Sequence, residues 1–406
     1  MPEPTVKTHM PSVAQLIISL AGLVFSLGTL IGFGLLLGLG SSMMENMPVD
    51  SAIQMPSVLW TGALVSLAAI PSLVLSIRRL ARLPMPTRQP RHLLLFAGIS
   101  LILLLPLGFL IHRKPDVLNF TPLYVIFSVM MIAIPLWWFV ELGQRGLSKG
   151  SPQRRWGIIS FSIFFNMPLV ILVEMIVLAV LGIIALILLW QQPELKALWM
   201  TLQTQIMLDP QALSLPNMGL GTILEQPTLW IGVFFIVCLL IPLVEELFKP
   251  LALWFFIKQE WLPSEGFSAG LIAGASFALV ESITSLASVP QDAWLTTVIG
   301  RIGTCLLHTF TAGLTGWALT SSWRDANYKR LGLTYLVCVL IHGIWNFFAL
   351  LYGLGSTFDI LNNLPLSRLA NASPWFLSAL FAVMLVFLFF TNRRIRAKTS
   401  PPPIPS

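Results

Sequence analysis

The sequence predicts an all-α fold: a polytopic helical membrane protein of about ten transmembrane helices, with N-terminus and C-terminus both cytosolic. Three observations predict it. Of 406 residues, 56% are hydrophobic and only 10% are charged, against about 25% charged in an ordinary soluble chain. The apolar residues form continuous stretches suited to a hydrocarbon core of ~30 Å, not the alternation of a transmembrane barrel. The cations then fall almost wholly on one side of those stretches. A soluble enzyme, a secreted disulfide scaffold and a disordered chain are excluded by this composition. Cys238, Cys305 and Cys338 lie singly in apolar stretches, with no CxxC pair, so neither a disulfide framework nor a thiolate metal site is expected.

The ten segments are 13–38, 57–77, 93–111, 120–140, 157–190, 229–257, 266–288, 294–319, 331–353 and 373–390. The first is too long for a signal-peptide apolar region and lacks a small-residue cleavage site, so it reads as a span. Its pairs Gly28–Gly32 and Gly34–Gly38 read as close helix packing. The second, third and fourth carry no acidic residue. The fifth has 34 residues and must tilt or continue into the outer interface. Between the fifth and sixth, Leu195, Leu198, Trp199, Leu202 and Ile206 fall at helical spacing, which predicts an interfacial helix. Intramembrane charge is confined to the last six segments.

With the N-terminus inside, the cytosolic segments hold 18 cations and the outer segments 4, while Lys249 and Arg301 lie within spans. The net charge of +7 is therefore topology, with attraction to anionic lipid headgroups on the cytosolic side, and not a nucleic-acid footprint. The basic loop 141–156 divides the chain. Residues 1–156 form an accessory four-span region, 157–390 a six-span core, and 391–406 a basic, Pro-rich cytosolic tail.

A charged side chain near the bilayer centre costs at least ~2.5–3.5 kcal/mol, so it must find protein or water. The sixth segment carries Glu245, Glu246 and Lys249; the seventh Glu281; the eighth Arg301 and His308; the ninth His342 and Asn346. Counting the helical rise from the cytosolic ends places Glu246, His308 and His342 each ~16 Å deep, and Glu281 ~22 Å deep. Structural ion pairs have no reason to converge on one layer. His342 and Asn346 share a helix face at i, i+4. Lys249 can neutralise Glu245 or Glu246 from its own helix. Arg301 can position a carboxylate such as Glu174 or Glu281.

Carboxylates and imidazoles gathered in a confined polar pocket suit the activation of water. A buried Glu serves as general base, His as proton donor to a leaving amine, and Asn as donor to a developing oxyanion. The same Glu and His residues can instead hold a divalent metal, although HExxH is absent.

Glu245 to Lys249 matches EExxK, Phe277 to Glu281 matches FxxxE, His308 stands in the next span, and His342 to Asn346 gives HxxxN. This set resembles the PrsW family of intramembrane proteases, within the CAAX-prenyl-endopeptidase-like superfamily, over about residues 157–390. The type II CAAX prenyl endopeptidases themselves resemble EExxxR and FxxxH. Pro250 and Glu281 stand here instead, so the PrsW branch fits better. The resemblance implies a glutamate-dependent, metal-free protease with no cofactor, Zn²⁺ being the alternative if the site is a metalloprotease. Its site residues would be Glu245, Glu246, Lys249, Glu281, His308, His342 and Asn346. It implies a membrane-anchored or lipid-associated protein substrate, such as an anti-sigma factor or a signalling precursor, and a bacterial plasma membrane. The family's last motif often ends in Asp, where this chain has Asn346. Two other functions compete. A proton-coupled carrier would also use buried Glu and His, but no internal repeat is evident. A non-catalytic scaffold of the same superfamily would use the polar pocket only to assemble helices.

Overall fold

The computed structural model describes residues 9–39, 61–85, 121–191, 227–256, 261–289, 293–360 and 362–399, with scattered residues between 95 and 106 and between 196 and 207. The elements are α1 (Met10–Leu39), α2 (Ala69–Leu80), α3 (Thr121–Gly143), α4 (Pro152–Phe161), α5 (Met167–Trp190), α6 (Pro227–Phe235), α7 (Ile241–Phe248), α8 (Leu251–Phe256), α9 (Pro263–Ala287), α10 (Trp294–Asp325), α11 (Tyr328–Gly353), α12 (Gly355–Ile360) and α13 (Leu364–Thr399). Among the described residues, eight helices are long and apolar enough to cross a membrane. They correspond to the expected segments except the third and the eighth. Most of 93–111 lies outside the described residues, as do the five residues of the expected interfacial helix.

The eighth segment is present as α10, whose 32 residues suffice to span. Its composition sets it apart from the other spans. Thr304, His308, Thr309, Thr311, Thr315, Thr320, Ser321 and Ser322 lie along it, and all are buried in protein. A helix this polar is stable at membrane depth only when other helices enclose it.

The chain divides into two compact units. One comprises residues 1–168, 246–338 and 379–406; the other comprises 169–245 and 339–378. In the first unit, Gln15 on α1 donates to Ser72 Oγ on α2 at 3.0 Å and to the Gln153 carbonyl of α4 at 3.3 Å. Ser19 meets Ser72 and Ser160 at 2.9 and 2.8 Å. Buried polar side chains therefore tie the leading helices to α4 where lipid offers no competing partner.

Among the described residues, close helix packing occurs at glycines other than those expected. A Cβ on Gly28, Gly32 or Gly34 would meet no described atom within 4 Å. The reason is that α1 presents the face of Ser12, Gln15, Ser19 and Gly22 to its neighbours, Gly22 lying against Phe164. The tight contact lies between α9 and α10. A Cβ on Gly266, Gly270 or Gly274 would collide with the carbonyl of Gly316, Ala312 or His308 respectively. Three glycines at four-residue spacing make the smooth stripe that lets two backbones touch.

The second unit is built around Leu351, Phe358 and Ala370, with Trp230, Phe234, Phe347 and Phe348 packed on them. Phe348 stacks on Phe376 at 4.5 Å between ring centroids.

Each unit also holds a π-helical turn, Ser162–Asn166 in the first and Ile236–Leu240 in the second. The Met167 N–H reaches back to the Ser162 carbonyl, and the Ile241 N–H to the Ile236 carbonyl. In both cases the next residue is proline, Pro168 or Pro242. Proline has no N–H to continue the ladder, and its ring crowds the carbonyl four residues back. The helix relieves both by widening one turn.

Candidate active site

The first unit assembles four of the expected site residues. Glu246 and Lys249 lie one turn apart on the same rod, and both side chains are fully buried. Lys249 Nζ stands 2.7 Å from Glu246 Oε1. The Thr311 hydroxyl donates to the same oxygen at 3.2 Å. Lys249 thus pairs with Glu246, one of the two carboxylates within its reach.

Phe277, the first residue of FxxxE, lies between this pair and His308. Lys249 Nζ is 5.2 Å from its ring centroid, and the His308 ring packs edge-on at 5.3 Å. Beyond it, Glu281 Oε2 is 2.7 Å from His308 Nε2, an ion-pair approach, while Glu281 Oε1 accepts from Arg301 at 2.6 Å. Arg301 therefore has Glu281, one of the two carboxylates expected for it, as a partner. Glu281, counted about one turn deeper than His308 along the helices, reaches the ring with its side chain. Gly274 positions His308 from the other direction, since only a residue without Cβ lets α9 lie against the His308 carbonyl.

The second unit brings together Glu245, His342 and Asn346. His342 Nε2 is 3.9 Å from Glu245 Oε2, and both side chains are buried. Asn346 Nδ2 donates to the Val237 carbonyl at 3.0 Å. Sequence reasoning did not single out Thr311, Gly274 or Gly343. Four-residue glycine spacing on α9 would have found Gly274; a lone threonine among many on α10 carries no comparable signal.

One family model, described as PrsW family intramembrane metalloprotease, matches residues 167–390, more than half of the chain. The chain belongs to the PrsW family. No curated protein and no solved structure matches it. PrsW membership makes the protein a multi-pass membrane peptidase and brings a metal into question. The donor chemistry fits one. Glu245, His308 and His342 are buried, and each offers one carboxylate oxygen or imidazole nitrogen, the donor types Zn²⁺ takes at catalytic sites. Glu281, engaged with Arg301 and His308, is placed to orient His308, as carboxylates beside metal-binding histidines do.

Proposed function

We propose that this PrsW-family protein is a metal-assisted intramembrane endopeptidase in which Glu245, His308 and His342 hold one divalent cation and Glu246 carries the proton. The observation that carries the reading is the donor set itself: one carboxylate and two imidazoles, all buried, in a family described as metalloproteases. This favours the metal-assisted alternative over the metal-free expectation.

Thr311 stands where α10 meets its neighbours in the first unit. Helices α10 and α11 are joined by only Ala326 and Asn327, so they run antiparallel. Cys338 Sγ lies 3.5 Å from the Thr311 carbonyl. His308 is one turn before Thr311 on α10. Thr311 also ties α7 to α10 through Glu246, the neighbour of Glu245.

A bound divalent cation would supply Lewis acidity, acidifying a water and polarising the scissile carbonyl. Glu246 is the carboxylate that would accept a proton from the attacking water and return it to the leaving amine. Lys249 and Thr311 hold its carboxylate in one orientation. Glu281 and Arg301 fix the His308 ring. The surrounding apolar helices keep bulk water from the charged groups.

The substrate under this reading is a membrane-anchored or lipid-associated protein, an anti-sigma factor or signalling precursor among them, in a bacterial plasma membrane. The core that cleaves it is 157–390. Cleavage of a co-expressed membrane-anchored substrate tests the reading. Glu246→Gln should abolish cleavage while the protein stays inserted, and chelation should abolish wild-type cleavage until Zn²⁺ is returned. Cleavage that persists in Glu246→Gln, or under chelation, would overturn it.

A further inference from the structure

Asn346 ends the HxxxN motif, and sequence reasoning gave it to the oxyanion. The structure puts its amide to another use. The π-helical turn Ile236–Leu240 leaves a carbonyl in need of a donor. The Ile241 N–H, which a regular helix would give to Val237, goes to Ile236 instead. The residue after it, Pro242, has no N–H. Val237 thus loses the donors both four and five residues onward. A carbonyl at membrane depth must be satisfied by protein, and Asn346 Nδ2 reaches it at 3.0 Å.

Gly343, three residues earlier on the same face of α11, makes the approach possible. A Cβ there would collide with the carbonyl of Cys238, the next residue in the widened turn. Gly343 and Asn346 therefore seat α11 on the π turn by a steric and a polar contact together. His342 adjoins Gly343, and Glu245 lies three residues after Pro242. These two meet at 3.9 Å, and the seating sets that separation.

We propose that Asn346 is a positioning residue: with Gly343 it locks α11 onto the Pro242-induced π turn and so holds Glu245 and His342 as co-ligands of one cation. The inference rests on the metal-assisted reading above. It removes Asn346 from the oxyanion and makes Pro242 and Asn346 a matched pair. An aspartate at 346 has no N–H to give Val237 and would face one acceptor with another.

The test is Zn²⁺ affinity of the purified full chain in detergent, read by competition with a chromophoric chelator. Asn346→Ala and Asn346→Asp should each weaken Zn²⁺ binding about 10–100-fold, the range for groups that orient metal ligands. Activity should return toward wild type at saturating Zn²⁺. Unchanged affinity with a loss of kcat that Zn²⁺ does not restore would overturn the inference and return Asn346 to the oxyanion. Pro242→Ala restores an N–H beside the π turn. In that background Asn346→Ala should no longer weaken Zn²⁺ binding, and an undiminished loss would count against the matched pair. If Asn346 variants do not fold, Gly343→Ala should weaken binding in the same way, and unaltered binding there overturns the seating. A wild-type protein that takes up no Zn²⁺ defeats the metal-assisted reading and this inference with it, whereas normal uptake with unaltered variant affinity defeats this inference alone.

Discussion

Lys249 Nζ stands 2.7 Å from Glu246 Oε1, and neither side chain is exposed at all. A pair buried this deeply is costly to break from one side, because the partner left behind keeps its charge without its counterion. Lys249→Met should therefore destabilise the folded protein by ~3–5 kcal/mol. Glu246→Gln with Lys249→Met should recover most of that loss while remaining inactive. Chemical denaturation in detergent micelles measures both, and equal stability of the single and double variants would show that the pair is not coupled.

The Arg301–Glu281–His308 chain predicts a different signature. Glu281→Gln and Arg301→Met should lower Zn²⁺ affinity by about 10–100-fold through a loosened His308 ring. Arg301→Lys keeps the charge but not the planar fork, so it should fall between them and the wild type. Chelator competition separates this from a loss of folding. Wild-type affinity in Arg301→Met would leave Arg301 with no part in placing the histidine.

Backbone contact between α9 and α10 makes Gly270 intolerant of a side chain. Gly270→Leu should lose ~1–3 kcal/mol or more by overpacking. Gly28→Leu, where a Cβ meets no described atom, should stay within ~0.5 kcal/mol of wild type. Thermal unfolding of the two variants side by side makes the comparison, and equal losses would refute the assignment of close packing to α9 and α10.

The cation distribution predicts that reporters fused in 78–92, 141–156 and 323–330 report from the cytosol, and reporters in 191–228 from the other side. An outer location for either of the first two loops would overturn the ten-span topology.

Most of the helices were legible because an apolar run of ~20 residues has few alternatives. The motif residues were legible because charge is rare at that depth and so conspicuous. Helix α10 was legible as a span from its length, although its threonines are stable there only because other helices enclose them. The GxxxG signal was present at Gly266, Gly270 and Gly274 as well as at Gly28 and Gly32. Which stripe packs depends on the partner helix, and the sequence of one helix does not reveal it. The π turns follow from Pro168 and Pro242, but a proline in a span can also produce a simple kink, and only the bonding of Met167 and Ile241 decides between the two. Asn346 was assigned to chemistry because its spacing from His342 suggested a shared face. That its amide goes to Val237 depends on a carbonyl freed in a different helix.

In the proposed reading His308, Glu245 and His342 hold one metal ion, and Glu246 carries the proton and is not a ligand. Zinc stoichiometry of purified wild type, His308→Ala and Glu246→Gln tests it most directly. One Zn²⁺ per chain is expected in wild type and in Glu246→Gln, and none retained by His308→Ala. Full zinc occupancy in His308→Ala, or its loss in Glu246→Gln, would contradict it.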